Sequence, residues 1–433
     1  MNLEFFIAKK VAGQRNRSFT RFILLIASGA IALCLTVMIA TTALISGFKQ
    51  EITEKIFGFW GHIHITDSNV SQSLLENFPL EKNQNFYAGL DSVKQIQYED
   101  YFRIFGFEFE NFPVQRSSEG GIRHVQVFAM KPGIIQTKNQ IEGIILKGVD
   151  RDFDWTFLKN YLVEGQVFDA ADTTNQSIIV SKQTADRLNV GIGDKFIVHF
   201  VQGAEQLRKR YEVSGIYKTG LEEYDKKFAL VNISSIQNIL GWTSDQVAGF
   251  EVFIDDIDDL DLFTEYIYYN ILPNNLYAEN IKEKFPAIFE WLALQNLNEM
   301  VIIGLMLVIA IINMITALLI LILERTNMIG VLKSLGQSNW SIRKVFLYYA
   351  GFIIATGLFW GNLLGLSLCF LQKQFGFIRL SEADYYLSVA PVDISWWAVL
   401  MLNVGTLFIT LFFLVLPSYL VTRISPVKAI RFK

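Results

Sequence analysis

Four stretches of this chain are uncharged and almost wholly apolar: Phe22–Phe48, Met300–Leu323, Val345–Gln372 and Ile394–Thr422. About 20 such residues in a helix cross the ~30 Å hydrocarbon core of a bilayer. A lipid-exposed backbone is satisfied only in helices or closed barrels, so helices of this length and composition are expected to span. Their spacing is uneven: one span, a long polar segment, then three spans in close succession. A mean hydropathy of +0.31 with 14% aromatic residues fits a membrane protein with a sizeable soluble part. The first stretch is too long for a secretory h-region and lacks a small-residue cleavage site, so it is expected to stay as a signal anchor.

Lys and Arg in short flanks set orientation. They cluster before the first span (Lys9, Lys10, Arg15, Arg17, Arg21), between the second and third (Arg325, Lys333, Arg343, Lys344) and after the fourth (Arg423, Lys428, Arg431, Lys433). The loop between the third and fourth spans has only Lys373 and Arg379, against Glu382, Asp384 and Asp393. Both termini and the Glu324–Lys344 loop are therefore expected in the cytoplasm, with Lys49–Glu299 outside. That outer segment holds 23 Lys and Arg against 37 Asp and Glu, a net of −14, and the remainder carries +10. An acidic outer domain over a basic inner face argues against nucleic-acid binding and fits contact with anionic lipid or a protein partner inside. The two cysteines, Cys34 and Cys369, both fall in expected spans, so no disulfide staples the outer domain.

The second span turns abruptly into an amphipathic piece. Met328, Ile329, Val331, Leu332 and Leu335 recur at i, i+1, i+3, i+4 and i+7, one face of a helix. Gly336 stands where that helix would stop, and Ser338 where the next would be capped. A short apolar-faced helix between two spans lies on lipid or docks into a protein.

Elsewhere, Met1–Arg21 reads as an amphipathic helix along the inner leaflet. Ala27, Ser28, Gly29, Ala30 and Ala32 fit the first span for close packing on other helices. The outer segment mixes strand-like alternation (Arg123–Ala129, Ile144–Gly148, Lys195–Val201, Arg210–Tyr217, Phe228–Val231) with short helices at Ser181–Asn189 and Ser234–Leu240, hence an α+β domain. His62 and His64 share one face of a strand. Without a third ligand cluster, solvent-facing histidines are the simpler reading than a metal site. Asn280–Glu299 reads as a helix feeding the second span. Trp396 and Trp397 mark a membrane boundary, and Pro417 kinks the last span. Asn313, Thr316 and Thr36 are expected to hydrogen-bond between helices rather than to line an ion path.

The chain contains no G-x-x-x-x-G-K-[ST], no H-E-x-x-H and no G-x-S-x-G. It is read as a membrane device with no nucleotide site of its own, and not as an enzyme.

The order of parts, with ERTNMIGVLKSLGQSNWSIRKVFLYYAGFI across the inner loop, resembles the FtsX/MacB-like permease family of type VII ABC systems, and within it the lipoprotein-releasing permeases. The resemblance also rests on FTRFILLIASGAIAL and ALISGFKQEITEKIFGFWGHI at the first span, ILKGVD at Ile145–Asp150 and LVEG at Leu162–Gly165. VSGIYKTGLEEYD (Val213–Asp225), YYLSVAPVDISWW (Tyr385–Trp397) and RISPVKAIRF (Arg423–Phe432) complete it. It implies an α-helical membrane protein with four transmembrane helices and a large α+β periplasmic domain inserted between helices 1 and 2. The implied division is an amphipathic helix at 1–21, spans at 22–48, 299–323, 345–372 and 394–422, the periplasmic domain at 49–298, a coupling loop at 324–344, a periplasmic loop at 373–393 and a tail at 423–433. The localisation implied is the bacterial inner membrane.

The resemblance further implies a permease that extracts lipoproteins from the outer leaflet of that membrane. It would pass them to a periplasmic carrier, pair with a second copy or a paralogue, and draw on a separate cytoplasmic ATPase that binds ATP and Mg. No cofactor is expected in this chain. The coupling helix maps to Glu324–Leu335, so Glu324, Arg325, Met328, Ile329, Leu332, Lys333 and Leu335 are the implied ATPase contacts. Met328 stands where the family carries an acidic residue. Acyl chains would enter a cleft lined by Ile39, Leu44 and Phe48 of the first span and Leu305, Val308 and Ile312 of the second. A family relative serving efflux or cell-wall hydrolase regulation is the alternative. A membrane-anchored binding module with no transport is a third reading.

Overall fold

The computed structural model describes residues 4–6, 18–69, 78–104, 107–136, 141–202, 205–381 and 385–424. Most of the expected Met1–Arg21 helix, and the tail motif beyond 424, lie outside these residues. The chain folds as two units. A helical unit comprises Met1–Glu51, Glu290–Arg379 and Val389–Lys433, and a sheet unit comprises Ile52–Phe289 and Leu380–Ser388.

Among the described residues, four helices are long and apolar enough to cross a membrane: Phe22–Trp60, Pro286–Glu324, Asn339–Phe375 and Trp396–Arg423. The first belongs to a helix that begins at Ser18. Pro286 opens the second, where its fixed φ and missing N–H suit a first helical position. The expected continuous helix from Asn280 is therefore divided: Asn280 caps a short turn, Ile281–Lys284, and Phe285 breaks it. Pro417 sits in the last turn of Trp396–Ser418, and the helix breaks at Tyr419 before resuming over Leu420–Arg423.

The helical unit has one apolar core. It joins Ile31, Leu35 and Ile39 of the first helix, Met314, Leu318 and Leu321 of the second, and Phe346, Tyr349 and Ile354 of the third, with Leu414 of the fourth. Small residues set the closest approach. Gly357, Gly361 and Gly365 recur every fourth position of the third helix and face the first. A Cβ at Gly357 would stand 2.7 Å from Ile31 Cβ, and one at Gly361 would stand 2.9 Å from the Ala32 carbonyl oxygen. Thr36 donates to the Gly361 carbonyl at 3.2 Å, the helix–helix bond expected of it. Asn313 and Thr316 differ: each donates to a carbonyl four residues back in its own helix. The interhelical amide pair is instead Asn362 with Asn403, donating reciprocally at 2.7 and 2.9 Å.

The sheet unit is built on one ten-stranded mixed sheet. From one edge its order is Leu276–Asn280, Ile63–Asp67, Gly249–Ile254, Ile122–Gln136, Ile141–Val149, Phe228–Asn232, Ser177–Ser181, Glu205–Tyr217 and Leu162–Gly165. Lys195–Gln202 pairs with both Glu205–Tyr217 and the far half of Ile122–Gln136. Six strands thereby close into a ring, which removes the exposed edges an open sheet would present. The long Ile122–Gln136 strand serves both the ring and the open part. The expected short helices form at Lys182–Leu188, capped by Ser181, and at Ile233–Leu240, capped by Asn232.

One expectation is overturned at the start of the sheet. His62 and His64 do not face solvent. Ile63–Asp67 is flanked on both sides by strands, and both rings are buried. Alternation signals a strand but does not tell whether its second face meets water or a second layer.

Candidate functional site

The segment after the second long helix folds as a separate short helix, Thr326–Ser334. Gly336, at φ +85°, ends it in the left-handed conformation that glycine adopts without strain. Ser338 then caps the third helix by accepting from the Ser341 N–H at 3.2 Å.

The two sides of this short helix have different surroundings. Ile329 is 0% exposed within the helical core, and Met328 and Leu332 pack against the same core. Val331 and Leu335, at 50% and 78% exposure, face outward with Asn327 and Ser334. Those four positions follow i, i+4, i+7 and i+8, a single stripe. Lys333 does not reach outward. Its Nζ donates to the carbonyls of Thr422 and Ile424, at 3.2 and 2.8 Å, at the end of the fourth helix. Arg343 similarly donates to Ser418 Oγ and the Val415 carbonyl. The short helix is thus braced on both its inner face and its C-terminal side. Glu324 and Arg325 are half-buried at its start.

The six residues expected to line an acyl cleft differ in exposure. Ile39 is turned into the core against Gly365 of the third helix. Leu44 packs on that core, and the Phe48 ring meets Trp291 edge-on at 5.4 Å. Leu305, Val308 and Ile312 are exposed along one face of the second helix.

The sheet unit contains a polar cluster that sequence reading does not single out. Lys147 Nζ lies 2.7 Å from Glu251 Oε1, and Gln126 donates to Glu251 Oε2 at 2.7 Å. Lys147 also donates to the Phe59 carbonyl at 2.6 Å, and His64 Nε2 lies 2.6 Å from the Trp60 carbonyl. Phe59 and Trp60 are the last residues of the first long helix, whose terminal carbonyls have no partner within the helix. Buried side chains take that role here. Burial lowers the Lys147 ammonium and raises the Glu251 carboxyl, each against the opposing pull of its partner. Lys147 belongs to the ILKGVD motif, and Phe59, Trp60 and His62 to the motif at the first span; the available signal was a charged residue inside an otherwise apolar strand.

Two further motifs meet in the same unit. Lys55 Nζ donates to the Tyr386 carbonyl at 3.5 Å. Gly220, at φ +81°, lies so close that a Cβ there would stand 3.1 Å from that carbonyl oxygen. Asp225 is buried and accepts from Thr219 and Gly220; burial raises its carboxyl against those hydrogen bonds and the Lys55 charge. Among the described residues no group of three His, Cys, Asp or Glu is placed to hold a metal ion.

Known protein families match the chain in two stretches. A model of the MacB-like periplasmic core domain matches residues 24–267, and a model of the FtsX-like permease C-terminal region matches residues 300–426. The lipoprotein-releasing system transmembrane protein LolC of Xylella fastidiosa is 21% identical over 97% of this chain and 96% of its own length. The corresponding LolE of Haemophilus influenzae is 22% identical over 99% of both chains. The extracellular domain of the transporter YknZ, a solved structure, covers 50% of this chain at 15% identity with a TM-score of 0.31, too slight a likeness to bear on the fold.

Proposed function

The chain belongs to the permease family that joins a MacB-like periplasmic core domain to an FtsX-like C-terminal region, and from that premise we propose that it is the membrane subunit of an ABC system that extracts lipoproteins. The cargo leaves the outer leaflet of the inner membrane for a periplasmic carrier. Relatives named as lipoprotein-releasing proteins across nearly the whole length support this reading. The charge asymmetry supports an orientation with both termini and the Glu324–Lys344 loop in the cytoplasm and the sheet unit in the periplasm.

Extraction needs an external energy source, because a lipid anchor holds to the membrane by ~0.8 kcal/mol per buried CH₂, tens of kcal/mol for three acyl chains. The chain carries no phosphate-binding motif, so the energy arrives through a contact with a separate ATPase. The observation that carries the assignment is the two-sided Thr326–Ser334 helix. Its inner face is locked into the bundle by Ile329, while Val331 and Leu335 are left bare. A displacement imposed on the bare stripe reaches the spans directly through the locked one. The permease works as a pair of such chains or with a paralogue, and the exposed Leu305, Val308 and Ile312 face is where a second chain and the acyl groups meet.

Val331→Asp and Leu335→Asp test the coupling assignment. Each is expected to abolish copurification of the ATPase and lipoprotein-stimulated turnover while leaving the thermal midpoint of the chain unchanged. Retained association with full stimulated turnover sinks it. Release of a triacylated lipopeptide from vesicles distinguishes this function from efflux or hydrolase regulation, which moves no such cargo.

A further inference from the structure

Two hydrogen bonds meet on one imidazole inside the sheet unit. His64 Nε2 is 2.6 Å from the carbonyl oxygen of Trp60, and His64 Nδ1 is 3.0 Å from Lys284 Nζ. A carbonyl only accepts and an ammonium only donates, so the ring is neutral with its proton on Nε2. Trp60 ends the first long helix, and Lys284 stands two residues before Pro286, where the second begins. One side chain therefore ties the last carbonyl of one long helix to the residue leading into the other, across 220 positions of sequence. Aromatic pairs run alongside, Phe57 against Phe289 at 5.8 Å and Trp60 against Phe285 at 5.6 Å. His64 is buried, and Lys284, partly exposed, also pairs with Glu279 at 3.5 Å.

We propose that His64 and Lys284 are positioning residues that make the roots of the two long helices move as one, so that a displacement of either is delivered to the other through the sheet unit. The proposal rests on the reading above, in which a partner's ATP hydrolysis drives lipid extraction. Aromatic contacts slide with little change in energy. A directional hydrogen bond to a buried ring does not, because separation leaves the Trp60 carbonyl without its donor or the buried His64 Nδ1 without the Lys284 ammonium. Without the relay, one root yields before the other and hydrolysis runs without release.

The test uses the full chain with its copurifying ATPase in phosphatidylethanolamine–phosphatidylglycerol vesicles carrying a fluorescent triacylated lipopeptide. His64→Leu and Lys284→Met are expected to keep ATP turnover within about twofold while release falls about tenfold, so that lipopeptide released per ATP drops. The amide of His64→Gln can donate to Trp60 and accept from Lys284, and release is expected to survive. Hydrogen exchange gives a second arm. In Lys284→Met, protection is expected to fall at Phe57–His64 as well as at Ile281–Phe289. Parallel loss of turnover and release, unchanged release in Lys284→Met, or exchange altered only at Ile281–Phe289 overturns the proposal. Lys284→Met, at a partly exposed site, carries both arms if His64→Leu does not accumulate as folded chain. An unmodified chain that releases no lipopeptide refutes the functional reading, and the exchange arm still decides the relay.

Discussion

Lys147 and Glu251 form an ion pair at 2.7 Å with both side chains at 1% exposure or less. Such a pair gains strong attraction but loses hydration of two charges, so its net contribution is small and the cost of breaking it from one side is large. Lys147→Met is expected to destabilise the chain by about 3–5 kcal/mol, because it leaves the Glu251 carboxylate unpaired and the Phe59 carbonyl without its donor. Lys147→Met with Glu251→Leu is expected to recover part of that loss. Chemical unfolding of the four members of the double-mutant cycle checks both.

The glycine stripe of the third helix gives a packing test. A Cβ at Gly361 meets the Ala32 backbone oxygen and Leu35 Cβ, both at 2.9 Å, so the helices must separate to admit it. Gly361→Val is expected to cost about 1–3 kcal/mol, the usual range for overpacking. Gly351→Ala in the same helix, where nothing stands within 4 Å of the new carbon, is expected to leave the thermal midpoint unchanged.

Gly220 and Tyr386 meet although they come from motifs in the two separate sequence segments of the sheet unit, Ile52–Phe289 and Leu380–Ser388. Gly220→Val combines a left-handed backbone position with a Cβ 3.1 Å from the Tyr386 oxygen. The Leu380–Ser388 segment is expected to become several-fold more susceptible to limited proteolysis, since local opening, not global unfolding, controls its cleavage. Equal cleavage rates in the parent and variant chains count against this contact.

His62 supplies a pH dependence. Its Nδ1 accepts from the Ile254 N–H at 2.8 Å, and burial, helped by Arg123, pulls its pKa down to about 3. His64 is depressed in the same direction, first by burial and then by Lys284. An unfolded histidine takes up its proton near pH 6.5, whereas the folded one stays neutral, so the unfolded state binds more protons in between. Stability is therefore complete above about pH 6.5 and is lost as pH falls toward the folded value near 3. His62→Asn is expected to flatten the decline between about pH 6.5 and 5, above the range where ordinary carboxylates titrate. Denaturant midpoints at those two pH values measure it.

The candidate site was legible in outline. Gly336 and Ser338 announce the end of one helix and the start of the next, because a left-handed glycine and an N-cap hydroxyl act through their own backbone neighbours. The inward side of that helix was not legible. Met328, Ile329, Val331, Leu332 and Leu335 form one apolar arc in sequence, and only the bundle beside it separates buried Ile329 from bare Leu335. Lys333 reads as an outward charge until the fourth helix brings the Thr422 and Ile424 carbonyls to it.

Hydropathy and charge are sums over neighbours along the chain, so the sequence by itself determined the four membrane-length helices and the mixed helix-and-strand class of the large acidic domain. Partner choice is a sum over neighbours in space, so only the tertiary structure decided three things. It set the glycine stripe against Ile31 and Leu35, closed six strands into a ring, and placed His64 between Trp60 and Lys284. A histidine two residues from another reads the same in solvent or in a core. Its surroundings become known only when a strand lies on each side and a lysine from 220 positions away arrives at its second nitrogen.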